Sequence, residues 1–234
     1  MTRRQKALLR ALIKGAADIL PLSLAVLPWG VLFGSLAIQR GFSWLEAQLF
    51  SAMVFGGAVQ IVAIELMAVN TPLLVVLFSA LVISSRHFLY GLALRERLIN
   101  HPARWRMGLG FLLTDELFSV LSNKRAYLTK FRLYYALGAG GSFYLAWNMW
   151  TAIGIIAGTS LPDLTQLGLD FAIAAIFIAL VVPEIKSIPI LICVIMSAVS
   201  AVVFSIYQND LALISAALVG MVSGFLYKRM EDKP

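Results

Sequence analysis

The sequence predicts an all-α, polytopic integral membrane protein, and three observations carry that prediction. Hydrophobic residues make up 60% of the 234-residue chain and charged residues only 13%, with a mean hydropathy of +0.87. That leaves too little polar surface to cover a water-soluble globule of this size. Apolar runs long enough to cross a bilayer recur along the chain, separated by polar gaps short enough to be loops. The net charge of +7 comes in short basic clusters between those runs, the pattern of cytoplasmic loops. The lipid bilayer is therefore the expected partner of this charge, and nucleic acid is not.

Eight runs have plausible ends: 15–38, 45–69, 72–94, 107–122, 133–158, 168–183, 188–207 and 211–227. They predict a helical bundle of seven or eight membrane segments, some broken or re-entrant, in a single domain over residues 1–234. Residues 1–14 form a basic cytoplasmic N-terminal segment, with Arg3, Arg4, Lys6, Arg10 and Lys14. The run that follows is too long for a signal peptide and is read as a retained first helix. Within it Pro21 and Pro28 stand on one face and each removes a backbone hydrogen bond, so a kink or break is expected. Gly30 and Gly34 then form a GxxxG pair suited to close packing.

The second run carries Gly56-Gly57-Ala58-Val59-Gln60 at its centre. Adjacent glycines weaken a helix, and broken helices at mid-depth line binding cavities in transporters; the other reading is a tight crossing with Gln60 bonded to a neighbour. Glu65 lies near the helix end and reads as snorkelling to the interface. In the third run Arg86 and His87 sit at depth, Arg86 about 20 Å along the segment at 1.5 Å per residue. An intramembrane arginine is costly and wants a partner or a wet cavity; the bland alternative is snorkelling towards Arg95. Ala80, Ser84, His87 and Gly91 form a small-residue stripe suited to close helix contact.

The fourth run is short and holds Thr114-Asp115-Glu116 near its middle. Two carboxylates at depth call for a cation, and Arg86 and His87 are the groups at comparable depth, so the third and fourth segments should face each other. Either acid could take the arginine; alternatively the segment re-enters and leaves its acids wet. The fifth run offers Gly138, Gly140, Gly141 and Ser142 for packing and Asn148 as a site candidate. Val182 to Pro189, with Glu184 and Lys186, reads as an interfacial turn, and Lys228-Arg229 as a cytoplasmic stop. Leu45-Glu46 with Gln60 and Leu169-Asp170 with Glu184 recur at one offset, with Gly34 and Gly154 at a slightly shorter one, a hint of internal duplication.

Basic residues place the N-terminus, the 124–132 loop and the C-terminal tail in the cytoplasm. Eight crossings would put the loop bearing Arg95, Arg97, Arg104 and Arg106 outside, against the rule. A non-crossing run in the second or fourth segment would relieve the conflict.

No HExxH, GxSxG, P-loop or Rossmann glycine pattern occurs, and the histidines are His87 and His101. Cys193 is the single cysteine, so no disulfide or cysteine metal site is expected. The chain reads as neither an enzyme nor a cofactor or metal binder. Buried charges of both signs, mid-membrane glycines and an apolar lining could hold a zwitterionic amino acid: an anion or carbonyls for its ammonium, a cation or helix N-terminus for its carboxylate. The candidate substrate and proton pathway is Arg86, His87, Asp115, Glu116, Gln60, Gly56, Gly57 and Asn148. A carboxylate of the Thr114-Asp115-Glu116 turn would carry the proton, with His87 orienting it. The rivals are a small-solute channel and a non-transporting scaffold subunit.

Pro28-Trp29-Gly30 to Gly34, Gly56-Gly57-Ala58-Val59-Gln60, Arg86-His87-Phe88-Leu89-Tyr90-Gly91, Thr114-Asp115-Glu116 and Gly168-Leu169-Asp170-Phe171 together resemble the AzlC family. They fall in order over nearly the whole chain. The resemblance implies a transporter domain in the bacterial inner membrane: the large subunit of a two-component exporter of valine, leucine, isoleucine or methionine, working with a small hydrophobic AzlD-type subunit. Ser84 stands where the family commonly shows asparagine.

Overall fold

The computed structural model describes residues 2–123, 132–160, 185–207 and 212–231, with positions 178, 181 and 182. Among these residues the structure is all helical. The helices are α1 (Arg3–Ala25), α2 (Leu27–Gln39), α3 (Trp44–Val54), α4 (Gly57–Ala68), α5 (Leu73–Ser84), α6 (Arg86–Leu98), α7 (Ala103–Phe111), α8 (Asp115–Asn123), α9 (Arg132–Ser160), α10 (Ile188–Ile206) and α11 (Ala212–Glu231). The chain divides into two compact units, Met1–Glu65 with Ile83–Pro162, and Leu66–Val82 with Asp163–Pro234. Residues 168–177, the Lys124–Lys130 cluster and Glu184 lie outside the described residues, and with them the Gly168–Phe171 motif and one half of the expected duplication.

In the first unit α9 is the axis. Its 29 residues span about 43 Å at 1.5 Å per residue. The α1–α2 pair runs parallel to it, held by glycines at close approach. A Cβ on Gly15 would strike the Tyr135 carbonyl, and one on Gly138 the Leu12 carbonyl. Further along, a Cβ on Gly34 would strike the Thr151 carbonyl and one on Gly154 the Val31 carbonyl. Ser35 Oγ donates to the Gly154 carbonyl at 2.9 Å, so polar and van der Waals contact coincide, as helix association in lipid requires. The expected break falls at Val26, between the two prolines, with α1 and α2 bent by 57°. Trp150 Nε1 donates to the Ser23 carbonyl at 3.0 Å, giving the end of α1 a partner that the break removed. The basic start is helical too: Thr2 and Gln5 form a capping box and α1 begins at Arg3.

The runs at 45–69, 72–94 and 107–122 are each two helices. The α3–α4 pair is a hairpin. Ser51 bonds Thr151, Ala52 accepts from the Tyr144 hydroxyl and Phe55 lies beside Phe143, so from Ser51 onward α3 descends antiparallel to α9. It stops at Phe55, whose backbone is left-handed at φ 40°. Gly57 then passes the Trp147 ring, and α4 climbs back until Glu65 meets Arg40 beyond the end of α2. Both ends of the hairpin therefore lie at the C-terminal end of α9.

The α7–α8 pair is a second hairpin of the opposite sense. Trp105 packs on Tyr134 (ring centroids 5.3 Å) and Phe111 on Tyr144 (5.6 Å), so α7 advances along α9. After the turn at Leu112 to Thr114, Leu117 packs over Gly140, and Leu121 receives a hydrogen bond from Arg97 at the end of α6 (3.3 Å). Arg132, at the start of α9, contacts His101 Nε2 at 3.2 Å. Both ends of this hairpin lie at the N-terminal end of α9.

In the second unit α10 and α11 are antiparallel. Gly220 packs on Cys193 and Ser197, Gly224 on Pro189 and Cys193, and Ser197 Oγ donates to the Ala216 carbonyl at 3.1 Å. By length and composition α10 alone could cross a membrane, and the α1–α2 and α5–α6 pairs qualify when each is taken as one span, among the described residues.

Candidate functional site

The tips of the two hairpins meet beside the middle of α9. Phe55, at the α3–α4 tip, lies 6.0 Å from Phe111 at the α7–α8 tip, 6.0 Å from Phe143 and 5.0 Å from Tyr144 (ring centroids). At each tip the backbone leaves helical pairing, so polar groups are available beside the middle of α9 where a continuous helix would have none. Thr114 is buried and caps α8 by accepting from the Leu117 N–H at 3.3 Å.

Asp115 and Glu116 open α8, and Arg86 opens α6. Arg86 Nη2 lies 2.8 Å from Asp115 Oδ2, so the ion pair runs to Asp115 of the two acids. The break at Ser85 places Arg86 at a helix start, where the sequence reading had it midway along a continuous helix. The side chains are 39% and 36% exposed, yet Arg86 Nε and Asp115 Oδ1 are individually buried without a hydrogen-bond partner. The pair thus keeps one free donor and one free acceptor. Tyr90, one turn along α6, stacks on Phe118 of α8 at 4.4 Å, fixing the two helices side by side.

His87 does not reach an acid among the described residues. Its Nδ1 lies 3.0 Å from the Ser84 carbonyl, and its ring meets Tyr90 edge-on at 5.9 Å. At Gly91 the small-residue stripe is not in close helix contact: a Cβ there would meet nothing within 4 Å.

At the other tip Gln60 is fully buried. Its Nε2 donates to the Phe50 carbonyl at 3.3 Å, tying α4 to α3, while Oε1 has no partner. Gly57 admits the Trp147 ring, and Trp147 Nε1 is likewise buried and unbonded. Gly56 is open around its Cβ position, with nothing nearer than 3.7 Å. Asn148 is a structural tie, receiving Gln48 Nε2 at 3.0 Å and donating to the Tyr144 carbonyl at 2.9 Å.

Glu65 takes a bidentate bond from Arg40, with contacts of 2.8–3.1 Å. Other polar groups escaped the sequence reading. Ser51 and Thr151 bond at 2.7 Å in a fully buried contact. Asp18 accepts from Tyr135 at 2.8 Å and pairs with Lys14 at 3.6 Å. An acid inside the first apolar run was the available signal for Asp18; Ser51 and Thr151 carry none until α3 and α9 are docked. No group of three His, Cys, Asp or Glu side chains is placed to hold a metal among the described residues.

The profile of the AzlC protein family matches residues 21–161, more than half of the chain. The chain belongs to the AzlC family. Its relatives include an uncharacterized membrane protein of Archaeoglobus fulgidus, 33% identical over 91% of this chain and 94% of the relative. The inner membrane protein YgaZ of Escherichia coli is 25% identical over 95% of this chain and 93% of its own length. The branched-chain amino acid transport protein AzlC of Bacillus subtilis is 27% identical over 70% and 64%. No solved structure shows a significant match. The AzlC match begins at Pro21 and ends just beyond α9, so it takes in both hairpins, the Arg86–Asp115 pair and the α2–α9 glycine contacts.

Proposed function

We propose that this AzlC-family protein exports branched-chain amino acids, with methionine, across the bacterial inner membrane as a multi-pass protein, driven by the proton-motive force. It does so as the large subunit of a two-component permease with a small hydrophobic AzlD-type subunit. The observation that carries the reading is the Arg86–Asp115 pair with its buried, unbonded Nε and Oδ1. A zwitterion is the ligand that satisfies both: its carboxylate accepts from the guanidinium and its ammonium donates to the carboxylate. The starts of α6 and α8, which the pair brings together, add positive dipole ends favourable to a substrate carboxylate. Tyr90 and Phe118 supply apolar wall, and Gly56, Gly57 and Gln60 form the opposing tip. Asp115 or Glu116 carries the proton, and His87 holds the turn before α6.

Orientation follows from charge. The basic start of α1, His101 with its flanking arginines, and Arg132 all gather at the N-terminal end of α9, which the positive-inside rule makes cytoplasmic. The α7–α8 hairpin then re-enters from the cytoplasm and α3–α4 from outside, the arrangement of discontinuous helices that suits alternating access. The test is valine efflux from preloaded cells, with and without this chain and its cognate small subunit. Saturable efflux with counterflow is expected; efflux equal to that of cells lacking the chain sinks the reading, and unsaturable flux assigns a pore instead.

A further inference from the structure

We infer that a cleft between α6 and the α7–α8 hairpin is the cytoplasmic loading site, where the substrate binds before it reaches the Arg86–Asp115 pair. The inference deepens the export reading and rests on it. The cleft has a volume of about 300 Å³, at the small end of ligand pockets and suited to a single amino acid. Its walls are aliphatic, from Leu94 and Leu98 of α6, Leu109 of α7, and Leu113 and Leu121 of the hairpin. Arg95 and Arg106 are its charged groups. The ion pairs among the described residues are Lys14–Asp18, Arg40–Glu65 and Arg86–Asp115, so both guanidiniums lack an acid partner.

Two glycines on the lining point the same way. Gly91 and Gly110 each have nothing within 4 Å of a Cβ position, whereas Gly15, Gly34, Gly138 and Gly154 are pressed against backbone. A helical glycine costs about 0.5–1 kcal/mol relative to alanine, and at these two positions no helix packing offsets it. What they leave is room. Gly91 stands five residues after Arg86 on α6 and Leu113 two before Asp115, so the cleft and the ion pair lie on the same two elements. A branched aliphatic side chain fits the leucine walls, and the carboxylate fits the arginines. An anionic lipid headgroup shares that second feature, and the test separates the two.

The experiment uses proteoliposomes of the chain with its cognate small subunit, measuring saturable transport of leucine and of valine. Arg95→Gln and Arg106→Gln are expected to raise KM about tenfold with kcat largely kept, as loss of a charge-assisted hydrogen bond predicts. Arg95→Lys and Arg106→Lys recover much of the loss. Gly91→Ala and Gly110→Ala narrow the cleft and raise KM for leucine several-fold more than for valine. Gly141→Ala, away from the cleft and also open around its Cβ, leaves both unchanged. Vesicles of phosphatidylcholine alone are compared with vesicles containing phosphatidylglycerol. An arginine effect confined to the latter overturns the inference in favour of a lipid site. Unchanged KM in the arginine variants, or an equal loss for leucine and valine in the glycine variants, overturns it outright while wild-type transport keeps the export reading. Should an arginine variant fail to assemble, the glycine variants decide. No transport by the wild type overturns both readings.

Discussion

Arg86 and Asp115 show how a single interaction sets the behaviour of two residues. At 2.8 Å and 39% and 36% exposed, the pair lies between an exposed bridge, worth about 0–1 kcal/mol, and a buried one, where removing one partner costs about 3–5 kcal/mol. Arg86→Ala is therefore expected to cost about 2 kcal/mol, because it strands the Asp115 carboxylate. Adding Asp115→Asn should recover most of that loss, and adding Glu116→Gln should not, since Glu116 is not the partner. Thermal unfolding of the purified variants in detergent checks this; recovery by Glu116→Gln and not by Asp115→Asn would reverse the assignment. The sequence called for a pair because a cation and two acids stood at similar depth. It could not choose the acid, since adjacent residues at a helix start differ only in the direction their side chains leave the turn.

At the scale of elements, glycine means different things according to what lies across from it. Gly34 and Gly154 face backbone carbonyls at the α2–α9 crossing, and Gly141 on α9 faces open space. Gly34→Ala and Gly154→Ala are thus expected to force the helices apart and destabilise by about 1–3 kcal/mol. Gly141→Ala should be neutral or stabilise by up to about 1 kcal/mol through helix propensity. Unfolding midpoints of the three variants test the contrast, and equal effects would mean that the crossing is not close. The breaks themselves were unevenly legible. Pro21 and Pro28 announced the one at Val26, and the double glycine announced the one after Phe55. The turn at Leu112 to Thr114 has neither proline nor glycine within it, and its only local sign is a threonine cap before two acids.

At the scale of the molecule, the two hairpins decide which loops share a side. Impermeant thiol labelling in a Cys193→Ser background should modify Trp44→Cys in intact cells, and Ala103→Cys only after the membrane is opened. Labelling of Ala103→Cys from outside would restore full crossing by the fourth segment and reject a re-entrant α7–α8. The expected pattern also removes the charge conflict at the Arg95 to Arg106 loop, because a hairpin that returns to its own side leaves that loop at the same end of α9 as the basic start of α1 and Arg132.

By itself the sequence determined the membrane character, the helical class, the family and the break in the first helix. These depend on hydropathy, composition and local backbone chemistry, which are properties of segments and need no knowledge of neighbours. The tertiary structure decided that two of the apolar runs turn back beside the middle of α9, that Asp115 takes Arg86, that Glu65 takes Arg40, and that Trp147 lies over Gly57. Each of those depends on which helix is docked against which. An 11-residue apolar helix that stops halfway and an apolar helix that continues have the same hydropathy, and only the partners at their ends distinguish them.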